Sequence, residues 1–192
     1  MIDNSQTIER VCNALASGSD AEAAAIAKRD YPFCPSHQFP RHCTPMEAVS
    51  VFLGDGFIDR YSGQRLVFPG VLRLLHLRLP SQFPFQKNWK MTETHMAYWQ
   101  LFPTVDHEVP IARGGKSEPD NWVSTSMLRN SAKANWLLEE LGWTLHPAGD
   151  LNQWDGMADW FIRETKKAPE CLRDAYLRSW HIALQNSGRL SL

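Results

Sequence analysis

Apolar residues recur along the chain at helical spacing, in stretches separated by proline- and glycine-rich joints. Residues 6–29 are rich in Ala, Glu and Ile and are interrupted by Gly18, which predicts two short helices, with Ser19 or Asp20 able to cap the second. Pro32, Pro35, Pro40 and Pro45 mark an irregular connection. Thr44-Pro45-Met46-Glu47 carries a good N-cap, a proline suited to the first helical position and a glutamate in the capping-box place. The helix it opens should stop near Gly54. Residues 57–68 read as a hairpin around Tyr61-Ser62-Gly63. Val71, Leu72, Leu74, Leu75, Leu77 and Leu79 then form an apolar helical face that ends at Pro80. A loop over 81–91 carries Phe83, Phe85 and Trp89. Beyond it the pattern predicts a helix over 92–102, a strand near 103–109, a loop over 110–121, a short strand near 122–126 and a helix over 127–140. Two tail helices are expected near 153–166 and 168–186.

This order is that of an α+β protein of mostly helical character. It divides into an N-terminal helical segment (1–56), a central segment containing both strands (57–147) and a C-terminal helical segment (148–192), read together as one compact domain. A length of 192 residues suffices for one sizeable core. The eight tryptophans can fill a core or stack on nucleobases, and composition does not decide between the two. Trp154, Trp160 and Trp180 fall in amphipathic tail helices and are expected in the core.

Net charge is -1, which argues against a protein that coats nucleic acid nonspecifically. The charge is uneven. Residues 60–92 carry Arg60, Arg65, Arg73, Arg78, Lys87 and Lys90 and no acid, whereas 1–59 sum to -4 and 93–192 to -3. That basic block is either a set of solvated side chains or a surface that tracks phosphates. The four cysteines make no dense disulfide framework. The start, MIDNSQTIER, lacks the pattern of a secretory leader, and no apolar run is long enough for a membrane span. The expectation is a cytoplasmic protein with reduced thiols and no membrane partner.

The chemistry-bearing residues gather in Asp106-His107-Glu108-Val109-Pro110-Ile111-Ala112-Arg113-Gly114-Gly115, then Asp120-Asn121-Trp122-Val123, then Leu128-Arg129-Asn130-Ser131-Ala132-Lys133. Asp106 is a hard oxygen ligand suited to Mg²⁺. His107 belongs to the residue type that titrates near neutrality and takes a proton from water. Asn130 offers a neutral amide oxygen, and Asn130 and Lys133 share a helix face. The glycine pair permits a sharp return between strands. Asp106 and His107 are sequence neighbours, and strand neighbours point to opposite faces. Both can serve one site only where the strand bends or ends.

This pattern resembles the HNH, or ββα-metal, nuclease motif, with His107, Asn121 and Asn130 at its three signature positions. The match covers some 30–35 residues. The resemblance implies a ββα-metal core embedded in a mostly helical shell. It implies that His107 is the general base and that Asp106 and Asn130 hold one Mg²⁺, Mn²⁺ or similar ion. Asn121 would fix the loop that carries the base, and Arg129 or Lys133 would contact the scissile phosphate. The substrate would be DNA, whether duplex, branched or single-stranded. One such centre cuts one strand, so a double-strand cutter would work as a homodimer or in two events. A noncatalytic nucleic-acid-binding module of the same fold and an RNA-directed nuclease are the alternatives.

The chain departs from that family in having no Cys-x-x-Cys pair. A structural Zn²⁺ is therefore not expected, and packing of Trp89, Trp99, Trp122 and Trp136 is expected to replace it. Cys34, His37, His42 and Cys43 are a poorly spaced second set of possible zinc ligands. Glu93 and His95, just upstream of the first strand, are expected to be exposed and partly packed respectively, with a supporting role behind the site as the alternative, and His76 and His146 give no signal.

Overall fold

The computed structural model describes residues 4–33 and 43–188. Among them are nine α-helices and one two-stranded antiparallel sheet, an α+β arrangement dominated by helix. α1 (Ser5–Ala16) and α2 (Asp20–Asp30) form a helical hairpin closed by Gly18, whose φ of 78° is the left-handed conformation the turn requires. Ser19 occupies the N-cap position of α2, but its side chain accepts no capping bond there.

α3 (Pro45–Gly54) starts as its sequence prescribes: Thr44 accepts from the Glu47 amide, and the Glu47 carboxylate accepts from the Thr44 amide. α4 (Pro69–Arg78) follows an extended link in which the predicted hairpin is reduced to a single bridge, Ile58 with Arg65. The main core lies between α3, α4, α8 (Ala158–Lys167) and α9 (Ala175–Asn186). Phe52, Phe57, Phe68, Phe161, Leu177 and Leu184 are fully or almost fully buried in it, and Trp180 packs on Phe52 and Phe68. This one core draws on residues from Ala48 to Leu184, so all three sequence segments contribute to it. Trp154 and Trp160 lie partly buried against it. None of the described helices is long and apolar enough to cross a membrane.

Four element boundaries differ from the sequence expectation. The helix predicted over 92–102 shrinks to α5 (Ala97–Gln100), because Trp89 adopts a φ of 57° and the Thr94 hydroxyl accepts from the Gln86 amide, holding 86–95 as successive turns. The helix predicted over 127–140 breaks into α6 (Met127–Lys133) and α7 (Leu138–Leu141) at Ala134, which has a φ of 47°. α8 starts late because Gly156 and Met157 both have positive φ. The last predicted helix splits into a 3₁₀ turn over Pro169–Arg173 and α9, which Asp174 caps through the amides of Tyr176 and Leu177.

The sheet pairs β1 (Pro103–His107) with β2 (Trp122–Ser126), from Pro103 opposite Ser126 to His107 opposite Trp122. The Ser126 hydroxyl caps α6, so the second strand feeds directly into the helix that crosses behind the sheet. β2 is anchored on its other side by two buried carboxylates. Asp59, 1% exposed, accepts from the Ser126 amide, the Thr125 hydroxyl and the Tyr61 amide. Asp55 accepts from the Ser124 amide at 2.6 Å and pairs with Arg60, whose Nε donates to the His146 carbonyl. The bond from the Arg60 amide to the Ser124 carbonyl completes the clamp. These carboxylates, rather than the four tryptophans, tie the 55–63 turn to the sheet. Trp136 is half exposed, and Trp89 and Trp99 pack with Tyr98 and Phe102 in a separate cluster.

Candidate active site

Asp106, His107 and Asn130 line one small cavity of about 70 Å³, together with Cys43, Val105, Ser117 and Trp122. The end of β1, the start of β2 and the middle of α6 meet there. Asp106 and His107 both line this space although they are strand neighbours, and β1 ends at His107.

Asp106 is 9% exposed. Its Oδ2 accepts from the Tyr61 hydroxyl at 2.8 Å and from the Lys133 ammonium at 2.9 Å. Its Oδ1 accepts no hydrogen bond among the described residues. Asn130 donates its amide N–H to Thr104 Oγ1 at 2.9 Å, which directs its carbonyl oxygen away from that contact. The cavity thus has two hard oxygens not spent on the described residues, one carboxylate and one amide. That donor set fits a divalent ion such as Mg²⁺ or Mn²⁺. No cluster of three or more His, Cys, Asp or Glu able to hold a metal occurs among the described residues.

His107 Nε2 lies 3.1 Å from the Trp122 indole nitrogen and 3.1 Å from Ser117 Oγ. An indole N–H can only donate, so Nε2 presents its lone pair and the neutral ring carries its proton on Nδ1. The loop behind His107 is fastened by Asn121. Its Oδ1 accepts from the Val109 amide at 2.9 Å, and its Nδ2 donates to the carbonyls of Val109 and Lys116 at 2.9 and 2.8 Å. Gly115 lies against this clamp: a Cβ there would fall on the Val109 carbonyl oxygen.

The two basic residues expected at the phosphate behave differently. Lys133 is wholly buried (0% exposed), and its ammonium is used on Asp106 Oδ2 and on the His107 carbonyl at 2.7 Å. It lies beneath the site and not at its mouth. Arg129 is half-buried on α6 and stacks over Trp143 at 5.2 Å, and Trp143 in turn packs on Tyr61. Tyr61, Thr104 and Ser117 are site residues that the sequence did not single out, and Trp122, expected there only as a packing residue, also reaches the site. Burial, followed by the Asp106 charge, drives the Tyr61 phenol well above its ordinary value, so it stays a proton donor to Asp106.

Several other expectations fall elsewhere. His95 is partly packed, on Phe83, and accepts from the Ala97 amide, and Glu93 is exposed and pairs with Lys90, the packing expected of both rather than a place at the cavity. His76 lies at the Phe83 carbonyl, and His146 lies beside Gly63. Of the second possible zinc set, Cys34, His37 and His42 lie outside the described residues. The basic 60–92 block does not survive as one surface: Arg60, Arg73, Arg78 and Lys90 pair with Asp55, Asp174, Glu164 and Glu93. Arg65 stacks over Trp154, and Lys87 is exposed.

No protein-family model, curated protein or solved structure matches this chain.

Proposed function

We propose that this protein is a metal-dependent endonuclease with an HNH-type, ββα-metal centre that hydrolyses phosphodiester bonds in DNA. The observation that carries the reading is the convergence of Asp106, His107 and Asn130 on one cavity at a strand–strand–helix junction, with Asn121 clamping the loop behind the histidine. Asp106 Oδ1 and Asn130 Oδ1 would hold one Mg²⁺ or Mn²⁺. Bound there, the ion supplies Lewis-acid polarisation of a phosphate oxygen and charge stabilisation of the leaving oxygen. His107 Nε2 takes the proton of the attacking water, exchanging its hydrogen bond from Trp122 for that proton. As the water oxygen bonds to phosphorus, the bond from phosphorus to the leaving oxygen breaks. Lys133 and Tyr61 act on the same carboxylate oxygen and hold Asp106 in position. With Lys133 buried, Arg129 is the remaining candidate for the substrate phosphate.

One observation favours a second reading, a nucleic-acid-binding module that keeps the fold without cutting. Among the described residues, Asp106 is the only acid in the cavity lining, and a buried ammonium already balances its charge. Nicking of supercoiled plasmid in Mg²⁺, Mn²⁺ and EDTA, with an RNA substrate in parallel, separates the readings. The nuclease reading expects metal-dependent cleavage of DNA that falls about 10²–10⁴-fold in His107→Ala and is lost in Asp106→Asn. Cleavage by His107→Ala at close to the parental rate refutes the assignment, and binding without cleavage in any metal supports the second reading.

A further inference from the structure

A second, larger cavity of about 480 Å³ opens on the face formed by α4, α9 and the 85–102 segment. That volume is within the range of about 300–1,000 Å³ common for small-ligand sites. Its lining is aromatic: Phe85, Trp89, Tyr98, Phe102, Tyr176 and Trp180, with Arg73 and Lys87 as the charged groups. Trp89 meets its neighbours nearly at right angles, whereas Phe85 and Tyr98 are tilted by 36°. Trp89 stands at 87° to both Phe85 and Tyr98 and at 82° to Phe102, with centroids 5.1–6.1 Å apart. A flat ring entering this space stacks on one wall while its edge faces another, the two geometries aromatic pairs prefer.

Trp89 holds its place at a φ of 57°, which is rare for a bulky residue and concentrates at binding and active sites. The charges select among flat or apolar ligands. Among the described residues no acid lines the cavity, and both charged groups are cations, so a quaternary ammonium or a basic peptide is disfavoured. Arg73 is balanced by Asp174, but Lys87 is exposed and has no acidic partner among the described residues. Apolar walls with an exposed cation at the rim match a planar base carrying a phosphate.

We propose that this cleft receives a nucleobase that has left its stack, with Lys87 at the adjoining backbone phosphate. The assignment of that strand as the substrate rests on the nuclease reading above. Phe102 lines the cleft and is followed directly by β1, which carries Asp106 four residues further on. Along a strand that is about 14 Å, the length of roughly four stacked nucleotides or fewer extended ones. In this proposal the base held in the cleft and the phosphate at His107 belong to one short stretch of a single strand. The substrate class this selects is nucleic acid with unpaired nucleotides beside the cut.

Fluorescence anisotropy of labelled 12-mers bound to the full protein in EDTA tests this without cleavage. The probes are single-stranded DNA, single-stranded RNA and a blunt DNA duplex. Single strands are expected to bind more tightly than the duplex. Trp89→Ala should weaken single-strand binding about 5- to 150-fold, the range of one base–aromatic stack, with Trp89→Phe recovering much of it. The surface change Lys87→Glu, which leaves the core untouched, should weaken it as well and flatten its salt dependence. Equal losses for DNA and RNA identify the base as the recognised element, and a loss confined to one identifies which strand the cleft takes. Unchanged binding by both Trp89→Ala and Lys87→Glu, or a preference for the blunt duplex, overturns the proposal. Cleft-dependent binding by a protein that never cleaves in metal leaves the cleft standing and removes the nuclease reading, so the two failures are distinct.

Discussion

Replacing Lys133 with methionine removes the ammonium beneath the candidate active site while keeping most of the side-chain volume. The parental amine is fully buried, 2.9 Å from Asp106 Oδ2 and 2.7 Å from the His107 carbonyl, with the Tyr61 ring 5.5 Å away. Without it, a carboxylate that is 9% exposed keeps only the Tyr61 hydroxyl on that oxygen. Breaking a buried pair from one side costs about 3–5 kcal/mol. For a chain of this length that corresponds to a fall in Tm of roughly 6–20 °C. The assay is a double-mutant cycle by urea denaturation with Lys133→Met, Asp106→Asn and the two combined. The combined variant has no charge left to strand, and the oxygen of the introduced side-chain amide can still accept from Tyr61. It should therefore be more stable than Lys133→Met alone, with a coupling of about 2 kcal/mol or more. A loss under about 1 kcal/mol for Lys133→Met, or strictly additive effects, refutes the claim that this lysine serves Asp106.

Gly115→Ala drives a methyl into the Val109 carbonyl, so the Asn121 clamp must open; we expect about 1–3 kcal/mol of destabilisation and faster hydrogen exchange at the Val109 amide, and an unchanged exchange rate contradicts the clamp. Asp59→Asn turns one accepting oxygen toward the sheet into an amide donor facing other donors; it should lose about 1–3 kcal/mol in chemical denaturation, and parental stability would show that the carboxylate does not hold β2. Burial raises the Asp174 carboxyl, but hydrogen bonds from Arg73 and from the first amides of α9 outweigh it and hold it below the ordinary range. Its stabilisation is therefore complete above the unfolded value of about 3.9 and is lost as pH falls through the lower folded value. Asp174→Asn should be less stable than the parent near neutrality, with the gap narrowing as pH falls below the ordinary carboxylate range, and a gap that widens in acid contradicts the sign.

The parts of the fold that the sequence made legible are those set by local rules. The Thr44–Glu47 box, the apolar face of α4 and the two strands each follow from a few neighbouring residues. Four candidate groups, Asp106, His107, Asn121 and Asn130, could be named because strand, glycine turn, strand and helix occur in uninterrupted order. What was not legible depends on distant partners or unusual backbone. Ala134 and Trp89 adopt positive φ, a conformation neither residue type signals. Asp55 and Asp59 resemble ordinary turn acids until the strand lying 65 or more residues away supplies the amides they accept from. Lys133 shows helical spacing with Asn130, but spacing does not reveal that its ammonium points inward.

The carboxylate clamp on β2 has a consequence for how this protein responds to its surroundings. Asp55 and Asp59 hold the 55–63 turn against the sheet through amide and hydroxyl donors of the chain itself. An oxidant has no sulfur to attack in that turn. On the nuclease reading proposed above, a chelating agent should halt cleavage while leaving this clamp standing, and adding the ion back should restart cleavage at once without refolding.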